Sequence, residues 1–148
     1  CPTGWFGFQC KYKCRCTNGV CDADGECTGG HTCQVEWFGP ACQYADLAYG
    51  SVSDAAVVDG NDNTCLRGQK TKVTVKLTDS FPFTWLRVKV TNQVTLSDTS
   101  RNFACTNQRK QYVDSTTLDI HCDLSSCIYN VTLGGNSAGH LCSVYISG

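Results

Sequence analysis

Cysteine content is the feature that most constrains the fold of this chain. Thirteen of its 148 residues are cysteine, and none is methionine. Thiols at that density persist as disulfides or as metal thiolates. A structural zinc site needs paired cysteines and histidines at finger spacing, whereas this chain has three histidines and irregular gaps between its cysteines. We therefore predict a disulfide-bonded protein that is secreted into an oxidising, extracellular compartment.

The cysteines are distributed unevenly. Eight of them fall within residues 1–42, and the other five are spread over residues 43–148. The first segment is rich in glycine and too short to bury a core, and chains of this size usually need covalent cross-links. We predict a small disulfide-rich module at residues 1–44 and a second domain at residues 45–148.

The second domain carries several short β-type segments. Residues 71–77, 84–91, 127–133 and 141–147 alternate apolar, often β-branched, residues with polar ones, and glycine, asparagine, aspartate or proline separates the segments. A period of two is typical of a half-buried strand. No long amphipathic helix pattern is present, so the sequence predicts an all-β fold with a β-sandwich as its main architecture.

Charge and hydropathy exclude several kinds of partner. The net charge is −1, from 12 basic and 13 acidic residues, and the apolar runs are only a few residues long. A polyanion or a membrane surface is therefore not an expected partner, and no segment reaches the ~20 apolar residues that cross a bilayer. We expect neither nucleic-acid binding nor membrane insertion. A chain that opens at Cys1 has the appearance of a mature form or an excised fragment.

One loop is repeated within the cysteine-rich segment. CPTGWFGFQC at residues 1–10 recurs as CQVEWFGPAC at residues 33–42, with Trp-Phe-Gly at the centre of both. Glycine supplies the backbone conformation that folds such a loop back. Two interpretations are open for the aromatic side chains: either they cover their own disulfides, or they form an aromatic surface that binds a partner. The rings concerned are Trp5, Phe6, Trp37 and Phe38.

This repeated loop, with Cys-Arg-Cys, Asn-Gly and Asp-Gly between its copies, resembles the laminin-type EGF repeats of multiple-EGF-domain and scavenger-receptor proteins. The resemblance covers residues 1–42 and makes Cys1 the tail of a repeat. The segment from Cys27 to Cys33 departs from the pattern, because it is longer than the usual Cys-x-Cys. The resemblance implies four disulfides: Cys1–Cys10, Cys14–Cys21, Cys16–Cys27 and Cys33–Cys42.

The second domain contains an ordered series of short motifs: DLAYGSVS from Asp46, AVVDGNDNTC ending at Cys65, LTDSFPFTWLRVKVTN and the final LCSVYISG. In this series it resembles the F-type lectins, a branch of the galactose-binding, discoidin-like β-sandwiches. The resemblance implies a jelly roll of about eight strands, with Cys65 bonded to Cys142 and Cys105 to Cys122. It also implies non-catalytic recognition of cell-surface or microbial glycans, as in defence lectins and adhesion proteins of innate immunity.

The residues that bind fucose in that family are absent here. Its members place a histidine after the first cysteine and then Arg-x-Asp on a strand, whereas this chain has Arg67 and Thr74-Val75-Lys76. We therefore expect glycan binding through other residues. Binding side chains favour loops on a rigid scaffold, and residues 97–110 form the longest polar stretch. The predicted ligand-binding residues are Arg67, Arg101, Asn102, Arg109 and Lys110.

A structural calcium ion is a further expectation from the lectin resemblance. Hard cations take several oxygen ligands in one small shell. The predicted ligands are Asp59, Asn61, Thr64 and the carbonyl of Cys142; Ser143 replaces the family's glutamate, although Asp62 lies nearby. The alternative is a turn in which Asp59 and Asn61 bond only their own backbone.

The odd number of cysteines predicts one thiol without an internal partner. Cys127 has no counterpart in the lectin family and is the candidate. An unpaired cysteine in an oxidising compartment suggests a bond to a second chain, so a disulfide-linked homo-oligomer is one hypothesis. A buried free thiol is another, and altered pairing among Cys105, Cys122 and Cys127 is a third.

Two further patterns concern the surface of the predicted sandwich. Asn130-Val-Thr132 is a glycosylation sequon; the rarer cysteine form at Asn63 is discounted, because Cys65 is expected in a disulfide. A basic stripe of four residues on two strands predicted to be neighbours either meets acidic glycans or simply keeps the sheet face soluble. The stripe comprises Lys72, Lys76, Arg87 and Lys89.

The sequence contains none of the common catalytic motifs. It has no Gly-x-Ser-x-Gly elbow, phosphate loop or His-Glu-x-x-His. The predicted function is lectin-like binding to a glycan or a cell-surface protein. The first alternative is a structural subunit of a disulfide-linked extracellular assembly or filament, and the second is a secreted ligand for a protein receptor.

Overall fold

The computed structural model describes residues 1–68, 70–91, 100–101, 105–123 and 127–148, with residues 100 and 101 described by their backbone. The chain divides into two compact units, residues 1–46 and 47–148. The regular structure of the described residues consists of eleven strands and three 3₁₀ turns. Six disulfides cross-link the two units internally. The prediction of an all-β, disulfide-rich protein is therefore confirmed.

Two small antiparallel hairpins form the regular structure of the first unit. Strands β1 (Trp5–Phe6) and β2 (Tyr12–Lys13) make one, and β3 (Trp37–Phe38) and β4 (Tyr44–Ala45) make the other. Phe6 is opposite Tyr12 in the first hairpin, as Phe38 is opposite Tyr44 in the second. The sequence repeat is thus a structural repeat.

Sulfur takes the place of an apolar core in the first unit. Its buried hydrophobic residues are Cys14, Cys16, Phe38 and Cys42. The cysteines pair as Cys1–Cys10, Cys14–Cys21, Cys16–Cys27 and Cys33–Cys42. These are the four pairs that the EGF resemblance implies.

Two antiparallel sheets form the second unit. The first has the strand order β5-β10-β7 and the second the order β11-β6-β9-β8. Two short 3₁₀ turns of this unit cover Ala55–Val57 and Ala138–His140, and a third, Phe8–Cys10, belongs to the first unit. The strands are β5 (Lys72–Pro82), β6 (Trp85–Val90), β7 (Ser100–Arg101), β8 (Thr106–Asp114), β9 (Thr117–Asp123), β10 (Cys127–Gly134) and β11 (Leu141–Ser147).

Alternating apolar side chains from both sheets meet in one core. Val75 of β5 and Val131 of β10 come from the first sheet, and Leu86, Ile120 and Ile146 come from the second; all five are fully buried in the same cluster. Each fully buried aliphatic side chain of this size stabilises the fold by about 1.5–3 kcal/mol. The apolar faces predicted for residues 71–77 and 84–91 are therefore the core faces.

The prediction that those two segments are neighbouring strands is wrong. β5 pairs with β10, whereas β6 pairs with β11 and β9. Between them the chain passes from one sheet to the other at Phe83, which is buried, and Thr84, whose N–H donates to Ser147 of β11. The predicted basic stripe is thereby split, with Lys72 and Lys76 in one sheet and Arg87 and Lys89 in the other.

The remaining cysteines fix the second unit and leave one thiol over. Cys65 bonds to Cys142 of β11, and Cys105 bonds to Cys122 of β9. Cys127, at the start of β10, is free and exposed. Neither a buried thiol nor altered pairing among the last cysteines is what the structure has.

Candidate ligand-binding surface

The outer face of the second sheet carries polar and aromatic residues in cross-strand rows. Since Leu86, Ile120 and Ile146 turn into the core, the residues that alternate with them point to the other face of the sheet. The pairing register aligns two rows across all four strands. One row is Ser147, Trp85, His121 and Arg109, and the other is Tyr145, Arg87, Asp119 and Gln111.

A bidentate ion pair forms the centre of the second row. Arg87 Nε donates to Asp119 Oδ1 at 2.7 Å, and Nη2 donates to Oδ2 at 2.8 Å. Burial alone would lower the pKa of Arg87, but the hydrogen bond and the negative charge of Asp119 outweigh it, and the pKa is raised. With the Asp119 side chain 6% exposed, this pair holds β6 to β9 and is poorly placed to contact a ligand.

Asp62, in the loop that precedes Cys65, bonds to side chains on β6 and β11 of the second sheet. The hydroxyl of Tyr145 donates to Asp62 Oδ1, and Lys89 Nζ donates to Asp62 Oδ2 at 3.3 Å. Both carboxylate oxygens of Asp62 are thus engaged by side chains of β6 and β11.

An exposed hydrogen-bonded cluster lies at the β8 end of the first row. We call it the β8–β9 polar cluster. It comprises Asn107, Arg109 and Asp123, which are joined by hydrogen bonds, and His121, which is opposite Arg109 in the ladder. Asn107 Nδ2 donates to Asp123 Oδ2 at 2.6 Å, and Arg109 Nη1 donates to Asp123 Oδ1 at 2.9 Å. Arg109 Nη1 also donates to the carbonyl of Asn107 at 3.0 Å. Asp123 therefore orients an amide and a guanidinium at one point of the surface.

A β-bulge brings Asn107 into that cluster. The pairing of β8 with β9 is irregular between Thr106 and Arg109, and Asn107 has a positive φ of 50°. Bulges re-aim a side chain that a regular ladder would send elsewhere. Two hydrogen bonds keep the pKa of Asp123 below its usual range, the larger effect coming from Asn107 and the smaller from Arg109. The carboxylate therefore stays ionised at neutral pH.

The fourth member of the cluster rests on an aromatic ring. His121 is opposite Arg109 in the ladder and stacks on Trp85, with ring centroids 5.1 Å apart and an angle of 25° between the planes. The guanidinium carbon of Arg87 lies 5.2 Å from the Trp85 ring centroid. Trp85 is 8% exposed, so it supports His121 and offers little ring surface to a ligand.

The structure places the five predicted ligand-binding residues apart. Arg109 belongs to the polar cluster, whereas Lys110 is exposed on β8 but opposite Ile120, which points to the other side. Arg67 is exposed in the loop after Cys65, and Arg101 lies on β7 in the other sheet. Asn102 is outside the described residues. The predicted loop 97–110 gives way to strand β8 at Thr106.

Sequence reasoning missed three members of the cluster: Asn107, His121 and Asp123. A signal was available for two of them, because residues 117–123 read Thr-Leu-Asp-Ile-His-Cys-Asp and alternate polar with apolar side chains. No comparable signal marks Asn107, whose position depends on the bulge.

Three of the predicted calcium ligands, Asp59, Asn61 and Thr64, lie in a loop with Asx turns, and the fourth, the carbonyl of Cys142, belongs to β11. Asp59 Oδ1 accepts from the N–H of Asn61 at 2.9 Å, and Asn61 Oδ1 accepts from the N–H of Asn63 at 3.0 Å. These bonds match the alternative of a backbone-stabilised turn, although an oxygen that accepts one hydrogen bond keeps a lone pair for a cation. With Asp62 engaged by Lys89 and Tyr145, Asp59 supplies the only carboxylate in the predicted ligand set. The four predicted ligands offer the hard oxygen donors that calcium takes, but they carry a single negative charge between them.

The repeated aromatic loops of the first unit have a common internal packing. The rings of Phe6 and Tyr12 lie 5.7 Å apart, and those of Phe38 and Tyr44 lie 5.9 Å apart. A Cβ on Gly39 would fall 2.6 Å from the Tyr44 ring, and one on Gly7 the same distance from the Tyr12 ring. Glycine is therefore required for close packing as well as for its φ angle. The sequence analysis did not predict the packing roles of Tyr12 and Tyr44.

The two tryptophans of the repeat differ in their cover. The guanidinium carbon of Arg15 lies 3.9 Å from the Trp37 ring centroid, a cation–π contact. Trp5, at the equivalent position, is 44% exposed.

Three sulfur atoms of the first unit lie close together, those of Cys16, Cys27 and Cys42. All three cysteines are in disulfides, so they supply no thiolate to a metal.

In the part of the chain that the structure describes, no helix combines the length and the apolar character that a membrane span needs. Comparison of the chain with protein-family models, with curated proteins and with solved structures found no match in any of the three.

Proposed function

We propose that this protein is a secreted, non-catalytic glycan-binding protein whose contact surface is the β8–β9 polar cluster. The observation that carries the proposal is the exposed Asn107–Asp123–Arg109 hydrogen-bonded group. It places oriented donors and acceptors side by side on two paired strands, where the side chains of Arg109 and Asp123 are 58% and 48% exposed.

The cluster keeps hydrogen-bonding capacity for a ligand. Within the described residues, Arg109 donates through Nη1 alone, so its Nε and Nη2 have no hydrogen-bond partner there. Each Asp123 oxygen accepts one bond and can accept another. A pair of neighbouring sugar hydroxyls, each of which both donates and accepts, matches a guanidinium beside a carboxylate. Because no exposed ring lies within the cluster, single-site affinity is expected to be low, and avidity would come from several copies.

The family-level part of the proposal is that an EGF-like module precedes an F-type-lectin-like jelly roll. Two antiparallel sheets around one core support it, as do the disulfides Cys65–Cys142 and Cys105–Cys122. The six disulfides favour an oxidising compartment. The binding surface we propose differs from the family's, whose histidine position is occupied by Arg67.

A glycan array tests this proposal. The wild-type protein is compared with Arg109→Ala, Asp123→Asn and the matched control Lys110→Ala, which removes a cation from the same strand but from outside the cluster. We expect binding to neutral or acidic glycans that both cluster variants lose and the control keeps. Failure of the wild-type protein to bind any glycan, or equal binding by Arg109→Ala, would reject the proposal.

A second candidate function is favoured by one observation, the free and exposed thiol of Cys127. In an oxidising compartment such a thiol can link two copies of the chain into a covalent dimer, the unit of a cross-linked extracellular assembly. Electrophoresis without reductant should then show a dimer band that disappears in Cys127→Ser and on reduction. A monomer band from the native secreted protein would remove this candidate.

A further inference from the structure

Strand β10 changes its inward and outward alternation near its middle. Ile128 and Val131 are both buried in the core, although residues three apart point to opposite faces in a regular strand. The irregularity lies in the pairing with β5, where Ile128 is opposite Phe81 but Asn130 is opposite Lys76. As a result two consecutive side chains, Tyr129 and Asn130, are both exposed. A regular ladder would turn one of them into the core.

The exposed Asn130 is also the acceptor of the sequon Asn130-Val131-Thr132. We propose that Asn130 carries an N-linked oligosaccharide that covers the outer face of the β5–β10–β7 sheet. The proposal rests on the extracellular compartment proposed above, but not on glycan binding. The modification precedes folding, so the folded strand has to accommodate a sugar on the asparagine, and the exposed, outward-facing side chain of Asn130 meets that requirement.

The reaction transfers an oligosaccharide from a lipid pyrophosphate carrier in the secretory pathway. The Nδ2 nitrogen of Asn130 loses one proton and bonds to the anomeric carbon of the first sugar. The bond from that carbon to the pyrophosphate oxygen breaks, and the lipid pyrophosphate leaves. No oxidant or reductant is required.

The surroundings of Asn130 suit a carbohydrate. Tyr129 is 48% exposed, and Lys76 Nζ lies 5.8 Å from its ring centroid. On the same face the hydroxyls of Thr74 and Thr132 hydrogen-bond each other at 3.1 Å. An exposed ring beside small polar groups gives the first sugar an apolar contact and nearby hydroxyls. The β8–β9 polar cluster is in the other sheet, so this glycan would leave it accessible.

The second acceptor motif provides an internal comparison. Asn63-Thr64-Cys65 has its cysteine in the bond to Cys142, and the N–H of Asn63 is held by Asn61 Oδ1. We expect Asn63 to remain unmodified.

The test expresses the full chain in eukaryotic secretory cells behind a cleavable signal sequence. Peptide mass spectrometry of the secreted protein, before and after an amidase that converts glycosylated asparagine to aspartate, locates the site. We expect one glycan, at Asn130, lost completely in Asn130→Gln and Thr132→Ala. Thr132→Ser keeps the acceptor motif, and Thr74→Ala removes the Thr74–Thr132 hydrogen bond without touching it, so both should remain glycosylated.

The outcomes separate this inference from the function proposed above. Secreted, disulfide-bonded wild-type protein with an unmodified Asn130 would overturn the glycosylation inference alone. Loss of the glycan in Thr74→Ala would also count against it, because that result would assign the effect to the strand rather than to the acceptor motif. A modified Asn130 in a protein that binds nothing on the array would overturn only the binding proposal.

Discussion

Arg87 and Asp119 face each other across β6 and β9 and share two parallel hydrogen bonds of 2.7 and 2.8 Å. The Asp119 side chain is 6% exposed and that of Arg87 is 21% exposed. Such a pair contributes little compared with two well-packed apolar residues, but removing one partner leaves the other charge buried and unpaired.

We therefore expect Arg87→Ala to lower the free energy of unfolding by about 3–5 kcal/mol, measured by urea denaturation. Lys89→Ala is the matched control, because it breaks the partly exposed pair with Asp62 on the same strand and should cost about 1 kcal/mol or less. Equal losses of unfolding free energy in the two variants would show that the burial of the Arg87–Asp119 pair does not set the cost of breaking it.

Asp123 should make stability depend on acid pH. Hydrogen bonds from Asn107 and then Arg109 lower the pKa of its carboxyl in the folded protein. A lowered folded pKa stabilises the protein above the unfolded pKa, which is about 3.9, and that contribution is lost as the pH falls through the folded value. In urea titrations at several pH values, the advantage of wild type over Asp123→Asn should begin to shrink as the pH falls below about 4 and disappear at more acid pH. A difference that persists unchanged at the most acid pH would contradict this.

Gly39 should tolerate no side chain, because its φ is 100° and a Cβ there would meet the Tyr44 ring at 2.6 Å. Gly19 is the control: its φ is 73°, but the space around it is open. Both alanine variants carry the left-handed backbone cost of about 1–2 kcal/mol, and Gly39→Ala adds a steric clash. Oxidative refolding followed by disulfide mapping should give a lower native yield for Gly39→Ala than for Gly19→Ala. Equal yields would mean that Tyr44 moves aside without cost.

The two disulfides of the second unit should differ in their contribution to stability. Cys65–Cys142 closes a sequence separation of 77 residues and Cys105–Cys122 one of 17. In the chain-entropy model these loops correspond to about 4.5 and about 3 kcal/mol. Replacing both cysteines of a pair by alanine should therefore lower stability more for the first pair, as measured by chemical denaturation. The reverse order would point to a contribution from the denatured state or from native packing.

Calcium binding at the Asp59 loop should be weak, because Asp59 supplies the only carboxylate of the predicted ligand set while Lys89 and Tyr145 hold Asp62. We expect a dissociation constant of about 10⁻³ M, as in weak extracellular modules. Calcium at five times that value would stabilise the fold by about 1 kcal/mol, measured by thermal unfolding, and the effect should be absent in Asp59→Asn. Micromolar binding, or none at millimolar calcium, would refute the expectation.

The sequence predicts which face of a strand is buried better than it predicts which strands pair with each other. Alternation in residues 71–77 and 84–91 is a local property, so Val75 and Leu86 are assigned correctly to the core. Which strands pair depends on contacts distant in sequence, and the corner at Phe83 carries no pattern that separates it from an ordinary hairpin turn. The prediction of one continuous basic stripe was wrong for that reason.

The candidate site shows the same limit. Arg109 is identifiable as an exposed cation, but its relation to Asp123 depends on the register of β8 against β9, and Asn107 joins them through a bulge. By contrast, Tyr12 and Tyr44 were predictable. Each lies two residues after the closing cysteine of its loop, and the repeat that marks Trp-Phe-Gly includes them.

The two copies of the aromatic loop keep the same frame and differ at the remaining positions. A disulfide, a glycine and a phenylalanine–tyrosine pair define the frame, whereas Trp37 is covered by Arg15 and Trp5 is open to solvent. Residues such as Phe8, which is 77% exposed, contribute little to that frame. The loop is therefore suited to grafting: short peptide libraries inserted at its exposed positions would inherit a rigid backbone without any change to the core of the second unit.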